Sequence, residues 1–135
     1  MTAFVDTSAL IALLDTDDPA HGDARDAWRG AVLDAEGLVA TDYVVVEAVA
    51  VAQRRWGLGA VRVLVDELIP LIEIQSVTVD DRVAGVNALL AAGRRRLSLV
   101  DCVSFVTMRR MGIRDYLGTE PHFDEQGFRR YAPED

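Results

Sequence analysis

Residues 2–14 of the chain read TAFVDTSALIALL, and this stretch carries the first indication of the fold. The segment 2–5 (TAFV) has the apolar character of a short strand, and residues 8–14 (SALIALL) have that of a helix. Asp6 lies between the two. Its carboxylate could simply cap the helix, a role that Ser8 could also fill. In open parallel sheets, however, binding sites lie beyond the carboxyl ends of the strands, which is where Asp6 falls.

The same alternation of short strands and helices continues along the chain. Pro19 is predicted to begin a helix, and Gly57 and Gly59 are predicted to end the next one. Pro70 is predicted to stop the helix after that, and Gly112 is predicted to close the last helix. The predicted strands are 2–5, 37–41, 71–77 and 116–119, with a tail strand after Gly127, and the predicted helices are 8–14, 19–34, 43–55, 60–69, 80–92 and 99–110. We therefore expect an α/β protein, a three-layer α/β/α fold with a short central parallel sheet.

Length and composition predict one domain, residues 1–135, in a reducing compartment. Of the 135 residues, 50% are hydrophobic and 27% are charged, which is ordinary for a globular domain. No apolar run reaches the roughly 20 residues of a membrane span, and no basic region precedes an apolar N-terminal stretch. Cys102 is the one cysteine, which excludes an internal disulfide and is expected to be a small buried hydrophobe. These features indicate a cytoplasmic protein with no membrane segment.

The basic residues leave two interpretations open. A formal net charge of -8 argues against nucleic-acid binding, because phosphate contacts require cations. All 14 basic residues are nevertheless Arg, the side chain suited to forked contacts with phosphate, and many of them cluster, at 54–55, 94–96, 109–110 and 129–130. The same clusters equally fit a solvated surface, or the composition of a GC-rich genome.

Two further acids interrupt apolar helical segments. Asp101, in LSLVDCVSF (97–105), is placed on the apolar face of its predicted helix. Ser98 allows a capping box with this acid, so Asp101 also has a structural explanation. Glu47, in DYVVVEAVAVA (42–52), lies more than a turn inside its helix, beyond the reach of a cap. An ion pair with an arginine is the structural alternative, because an uncompensated buried charge is costly.

The positions of Asp6, Glu47 and Asp101 lead us to expect that their side chains meet at one edge of the sheet. Carboxylates roughly 4 Å apart repel each other by about 1 kcal/mol in water and by about 4 kcal/mol at an effective dielectric constant of about 20. A cation would offset this repulsion, and the sequence contains no Lys to supply it. Mg²⁺ and Mn²⁺ prefer such oxygen ligands. The three acids therefore predict a divalent-metal site.

Three segments, in this order, resemble the motifs of PIN-domain ribonucleases, especially the VapC-type toxins of toxin–antitoxin pairs: FVDTSALIALL (4–14), VVVEAVAV (44–51) and LSLVDCVSFVTMRRMGI (97–113). The resemblance spans nearly the whole chain. It implies a three-layer α/β/α fold and a Mg²⁺-dependent endoribonuclease site. The acids of the family fall on Asp6, Glu47 and Asp101, and the polar positions that support the site fall on Thr7, Ser8 and Ser104.

The segment GTEPHFDEQGF (118–128) departs from the family pattern, which has an Asp two residues before a His-Phe pair. Glu120 occupies that position here, and Asp124 is displaced from it by four residues. Either acid could be the fourth site residue, so the occupancy of a second metal position stays open. His122 is expected to be structural.

The resemblance implies metal-assisted hydrolysis of a phosphodiester, with Asp6 and Asp101 holding Mg²⁺, or Mn²⁺, directly. Glu47 and the region of Glu120 and Asp124 would bind a second ion or orient the attacking water. The family further implies an RNA substrate, a homodimer and a small cognate antitoxin. The choice between one and two ions, and the identity of the RNA, stay open.

Two other functions fit parts of the pattern. A phosphorelay receiver domain shares the parallel sheet and acidic pocket, but it relies on a Lys that this chain lacks. A non-catalytic PIN-like module that binds RNA or a protein would keep the fold without the chemistry. Mg²⁺-dependent RNA cleavage that disappears in Asp6→Asn and Asp101→Asn variants distinguishes the enzyme from this module.

Overall fold

A computed structural model describes residues 2–34 and 37–133 of the chain. Its centre is a five-stranded, fully parallel sheet with the strand order β3-β2-β1-β4-β5. The strands are β1 (Thr2–Val5), β2 (Gly37–Thr41), β3 (Glu73–Gln75), β4 (Asp115–Leu117) and β5 (Arg129–Arg130), and the helices are α1 (Thr7–Leu14), α2 (His21–Asp34), α3 (Asp42–Trp56), α4 (Leu58–Val63), α5 (Val79–Ala92), α6 (Leu99–Met111) and α7 (His122–Glu125). A π-helical segment (Leu64–Leu68) and a 3-10 turn (Ile69–Leu71) extend α4. No helix within the described ranges is long and apolar enough to cross a membrane.

Helices cover both faces of the central strands. Ala3, Phe4 and Val5 of β1 are fully buried, and the neighbouring strands β2 and β4 are buried along nearly their whole length. Because crossovers between parallel strands are right-handed, the helices that lead outward to β3 and those that return to β4 lie on opposite faces. In agreement, α1 packs against α2 and α3, whereas α5 packs against α6. The predicted three-layer α/β/α fold is confirmed.

The strand order places a crevice at the middle of the sheet. The chain begins in the central strand β1, runs outward through β2 to β3, and then returns to the other side of β1 as β4. The direction of progression therefore reverses between β1 and β4, which is where open sheets of this kind form binding sites at their carboxyl edge. Asp6 directly follows β1 and Gly118 directly follows β4. Both residues consequently lie at this crevice.

Side-chain caps determine where most of the long helices begin. The N-caps of α1, α3, α5 and α6 are Asp6, Thr41, Thr78 and Ser98, and each side chain accepts a backbone N–H of the first turn. These N–H groups have no partner within the helix, so the caps stabilise the helix starts. Gly112, with a φ of 71°, adopts the left-handed conformation that ends α6.

Several element boundaries differ from the predictions. Helix α2 begins at His21, because Pro19 belongs to a turn in which the Asp18 carboxylate accepts a backbone N–H at 2.8 Å. Gly59 does not end a helix but lies inside α4. Strand β3 is shorter than expected, because the 3-10 turn around Pro70 occupies its predicted start. Helix α7 has no counterpart among the predicted elements.

Helix α5 touches the body of the protein along one narrow face. Asp81 on this face is 4% exposed and accepts a hydrogen bond from Nε of Arg110 on α6 at 2.9 Å. One turn later, Gly85 lies so close to α6 that a Cβ there would be 2.6 Å from Cγ2 of Val103. This contact positions α6, the helix that carries Asp101.

Candidate active site

The crevice between β1 and β4 opens into a cavity of about 540 Å³. Its wall contains five carboxylates and two guanidinium groups. The residues that line it are Asp6, Thr7, Ser8, Ile11, Asp18, Glu47, Arg55, Arg96, Ser98, Asp101, Thr119, Glu120 and His122. The structure therefore brings Asp6, Glu47 and Asp101, which are far apart in the sequence, into one cavity.

Asp6 is both a helix cap and a wall residue of the cavity. Its Oδ2 accepts hydrogen bonds from the Ser8 N–H at 3.2 Å and from the Ser8 hydroxyl at 2.6 Å. Its Oδ1 is buried and has no hydrogen-bond partner among the described residues. The capping role considered for Asp6 is therefore present, but it occupies one oxygen only. The other oxygen is available to a ligand.

The loop after β4 is joined to Asp6 through Ser8. The Ser8 hydroxyl donates to Asp6 and accepts the Thr119 N–H at 2.9 Å. Gly118 allows this close approach, since a Cβ there would lie 3.1 Å from the Ser8 Oγ and 3.3 Å from the Asp6 Cβ. The carboxyl ends of β1 and β4 are thus held together by one side chain.

Asp101, like Asp6, uses one carboxylate oxygen to stabilise the start of a helix. The Ser98 hydroxyl accepts the Asp101 N–H at 3.0 Å, and Oδ2 of Asp101 accepts the Ser98 N–H at 3.3 Å, which completes a capping box. The structural explanation of Asp101 is therefore correct. Its Oδ1 has no hydrogen bond among the described residues, and the side chain also lines the cavity. The Asp101 carboxylate therefore both stabilises the start of α6 and lines the cavity.

Glu47 projects from the second turn of α3 and is partly buried. The arginine partner considered for it is not found, because Glu47 forms no ion pair within residues 2–34 and 37–133. Burial raises the pKa of Glu47, the Thr7 hydroxyl opposes this rise, and the charge of Asp101 adds to it. The Thr7 hydroxyl itself is buried and, among the residues that the structure describes, makes no hydrogen bond of ordinary geometry.

The electrostatics of the cavity disfavour the ionised forms of Asp6 and Glu47. Burial raises the pKa of Asp6 from 3.8 to about 7, the Ser8 hydrogen bonds oppose the rise, and the charges of Asp101 and Glu47 add to it. Nearby like charges raise the pKa of a carboxyl group, and this is the effect of Asp101 on both Asp6 and Glu47. A positive charge in the cavity would stabilise all three carboxylates.

The two candidates for the fourth acid have different surroundings. Glu120 is exposed and lines the cavity. Asp124 lies on α7, accepts the Tyr116 hydroxyl at 2.7 Å and is 3.9 Å from the Arg130 guanidinium. Because α7 directs it toward Tyr116, Asp124 is not part of the cavity wall. The structure therefore brings Glu120, and not Asp124, to the other acids.

Two polar residues highlighted by the sequence have unexpected positions. Ser104 is fully buried and donates to the Val100 carbonyl at 2.8 Å, within its own helix, so it does not line the cavity. His122, expected to be structural, does line the cavity. Its Nδ1 is buried, lies 3.7 Å from the Glu125 carboxylate and makes no hydrogen bond in the described part of the chain.

Several wall residues were not identified as site residues from the sequence. Arg55 and Arg96 belong to arginine clusters, but clustering alone does not tell which arginine faces a cavity. Asp18 lies in the acidic loop DTDDPAHGD (15–23), where no periodicity assigns a direction to any one side chain. Thr119 reaches the cavity because of its backbone contact with Ser8.

The residues present fit a hard divalent cation by their chemistry. The wall supplies carboxylate oxygens, and the buried Oδ1 of Asp6 accepts no hydrogen bond from residues 2–34 and 37–133. Within the described ranges, no three His, Cys, Asp or Glu side chains are already grouped closely enough to hold a metal ion. Glu47 and Glu120 are long side chains with several rotatable bonds, so binding would require them to turn toward the aspartates.

Comparison with known proteins agrees with the geometry of the cavity. The family model of the PIN domain matches residues 3–132. The chain belongs to the PIN-domain family. Two relatives of this PIN domain, both named 23S rRNA-specific endonuclease VapC20, come from Mycobacterium tuberculosis strains CDC 1551 / Oshkosh and ATCC 25618 / H37Rv. Each is 30% identical over 132 residues, which cover 97% of this chain and 98% of the relative.

The similarity extends to a solved structure. The crystal structure of Mycobacterium tuberculosis VapC20, described as a sarcin-ricin loop cleaving toxin, matches this PIN domain with a TM-score of 0.85 and 28% identity. The match covers 98% of this chain and 100% of the VapC20 chain. The resemblance to PIN-domain ribonucleases of the VapC type, first inferred from three sequence motifs, is confirmed.

Proposed function

We propose that this PIN domain is a Mg²⁺-dependent endoribonuclease that acts as the toxin of a type II toxin–antitoxin pair. The observation that carries the proposal is the buried Oδ1 of Asp6, which has no hydrogen-bond partner in the described part of the chain and lies in a cavity shared with Glu47 and Asp101. A buried carboxylate oxygen without a partner is costly, and a cation ligated by it would offset that cost. Similarity to VapC20 over nearly the whole chain supports the same function.

Asp6 and Asp101 would hold the cation directly, and Glu47 and Glu120 would bind a second ion or orient the attacking water. Mg²⁺ suits these ligands, and Mn²⁺ is expected to replace it. When bound, such a cation lowers the pKa of the attacking water and neutralises charge that develops on the phosphate. Asp124, at its place on α7, contributes through Tyr116 to the packing of the C-terminal region instead.

The protein supplies rigid support for this chemistry. Ser8 holds one oxygen of Asp6, and Ser98 holds one oxygen of Asp101, so each acid presents its other oxygen in a defined direction. In-line attack of water on phosphorus would break the bond to the 3′ oxygen and leave a 5′ phosphate on the downstream fragment. Preorganised carboxylates of this kind avoid a reorganisation cost during the reaction.

The substrate is proposed to be exposed loop RNA, because its backbone is accessible where the bases are unpaired. VapC20 is named for 23S rRNA and described as cleaving the sarcin-ricin loop, so this loop is the first RNA to test. We place the enzyme in the cytoplasm, as one domain over residues 1–135, with a homodimeric state and a small antitoxin as partners. Exposed apolar side chains on and after α4 offer contact surface for such partners: Leu58, Val63 and Val65.

The decisive experiment compares cleavage of sarcin-ricin loop RNA by four proteins: the wild type, Asp6→Asn, Asp101→Asn and Asp124→Asn. We expect Mg²⁺-dependent cleavage by the wild type and a loss of at least 100-fold, about 2.7 kcal/mol of transition-state stabilisation, in the first two variants. Asp124→Asn is the matched control, since it removes one carboxylate outside the cavity. Absence of Mg²⁺-dependent cleavage in the wild type, with RNA binding intact, would establish the non-catalytic module instead.

The fourth acid and the metal can be tested in the same system. Glu120→Gln is expected to lower the cleavage rate, whereas Asp124→Asn leaves it close to wild type, because only Glu120 lines the cavity. Crystals soaked in Mn²⁺ should show an anomalous peak between Asp6 and Asp101. Expression of the wild type should inhibit growth, and co-expression of a small neighbouring gene should relieve the inhibition; unchanged growth would count against the toxin role.

A further inference from the structure

The three consecutive arginines at 94–96 have three different environments. Arg94 forms an ion pair with Glu125, with an N–O distance of 2.7 Å. Arg95 is exposed and has no ion pair within the described part of the chain. Arg96 lines the acidic cavity and, within the same residues, also has no ion pair. A cluster that looked uniform in the sequence therefore places one guanidinium at the candidate active site.

The backbone at Arg96 is held by the residues that follow it. Leu97 is 5% exposed and belongs to the apolar core. Ser98 forms the capping box with Asp101. Arg96 is thus two residues from the cap that orients Asp101, and its stem starts from a fixed point on the rim of the cavity.

The second arginine of the cavity wall is already engaged. A guanidinium nitrogen of Arg55 lies 2.8 Å from the Asp15 carboxylate, and the Arg55 guanidinium stacks 4.4 Å from the ring centre of Trp56. Its charge is therefore partly neutralised within the protein. Arg96 is the cavity arginine whose charge is available to an anion.

We propose that Arg96 binds a phosphate of the RNA strand that adjoins the phosphate to be cleaved. This inference rests on the proposed endoribonuclease function. The wall holds five carboxylates against two guanidinium groups, so a polyanion needs a cationic contact in addition to any bound metal. A guanidinium can donate two parallel N–H bonds to phosphate oxygens, which fixes the direction of the strand as well as its affinity.

The neighbouring arginine provides a matched control for this role. Arg96→Gln and Arg95→Gln remove the same charge at adjacent positions, but only Arg96 faces the cavity. Both changes are made in an Asp6→Asn background, which prevents cleavage, and binding of labelled sarcin-ricin loop RNA is measured by fluorescence anisotropy at several salt concentrations. Thermal unfolding of each variant checks that the fold is kept.

Loss of one phosphate contact should weaken binding by about 10-fold in Arg96→Gln, and should reduce the slope of log K against log salt by about 0.7 to 0.9. Arg95→Gln should change neither quantity by more than about 2-fold. Arg96→Lys should restore the salt slope and part of the affinity, because Lys keeps the charge without the forked geometry.

Equal effects of Arg95→Gln and Arg96→Gln would overturn the inference, because they would show a general charge effect. No effect of Arg96→Gln would overturn it as well. Failure of the proposed function would give a different result. The wild type would then not cleave RNA in the presence of Mg²⁺, whether or not the RNA affinities of the Arg95→Gln and Arg96→Gln variants differ. In a cleaving wild type, Arg96→Gln should raise KM more than it lowers kcat.

Discussion

Replacement of Asp6 by Asn should stabilise the metal-free protein, and more strongly as the pH rises. The carboxyl group of Asp6 has a pKa of about 7 in the folded chain, against 3.8 for an ordinary aspartate, chiefly because it is buried. Between these values the folded state binds more protons than the unfolded state. The free energy of unfolding therefore falls as the pH rises from about 4 to 7.

The magnitude follows from the size of the shift. The rise in the pKa of Asp6 by about 3 units corresponds to about 4 kcal/mol in the free energy of unfolding, at about 1.4 kcal/mol per pKa unit. Solvent relaxation around the carboxylate makes this value an upper bound. Asn has a similar shape and can still accept the two Ser8 hydrogen bonds, but it carries no charge to bury. The advantage of Asp6→Asn over the wild type should grow by up to about 1.4 kcal/mol per pH unit from pH 5 to 7 and level off above pH 7.

Urea denaturation in EDTA at pH 5, 6, 7 and 8 measures this difference. Asp124→Asn is the control for the loss of an exposed carboxylate that lies outside the cavity. Addition of Mg²⁺ at pH 8 should recover stability in the wild type and have little effect on Asp6→Asn. Parallel profiles for the wild type and Asp6→Asn would refute the reasoning, because they would show that the folded protein pays no cost for the ionised Asp6.

Two further predictions concern positions near the site. Ser8→Ala should lower the cleavage rate and weaken Mg²⁺ binding measured by calorimetry. It removes the hydroxyl group that donates a hydrogen bond to Asp6 and accepts one from the loop after β4. Unchanged Mg²⁺ affinity would contradict this role. Gly85→Ala should lower the free energy of unfolding by about 1 to 2 kcal/mol in urea denaturation, because its Cβ would crowd Val103. Gly22→Ala, where a Cβ meets nothing within 4 Å, should be neutral or slightly stabilising, and a similar loss there would remove the packing explanation.

The fold was largely predictable because its signals are local. Apolar strands alternate with helices, and the caps Thr41 and Ser98 and the terminating Gly112 act within a few residues of themselves. The shortened β3 and the added helix α7 were not predictable in this way. Among the described strands, β2 alone pairs with β3, so the length of β3 depends on this partner and on the preceding 3-10 turn.

The site was predictable in part, for a related reason. Asp6, Glu47 and Asp101 lie at positions where an acid conflicts with its apolar surroundings, and this conflict is visible in the sequence. The structural explanations of Asp6 and Asp101 are also correct, because each carboxylate has two oxygens and uses one for a helix. The surroundings of Asp124 and Arg96 depend on side-chain direction in short, irregular segments, which periodicity does not determine.

The hydroxyl of Ser8 links parts of the chain that are 111 residues apart. It has a single proton, which it gives to Asp6, and it receives the Thr119 amide on the opposite side. Any change in the charge of Asp6 alters how strongly this oxygen attracts the amide proton. The Thr119 resonance in an ¹⁵N-labelled sample should consequently shift as Asp6 gains or loses its proton, which provides a built-in spectroscopic reporter that needs no added label at the site.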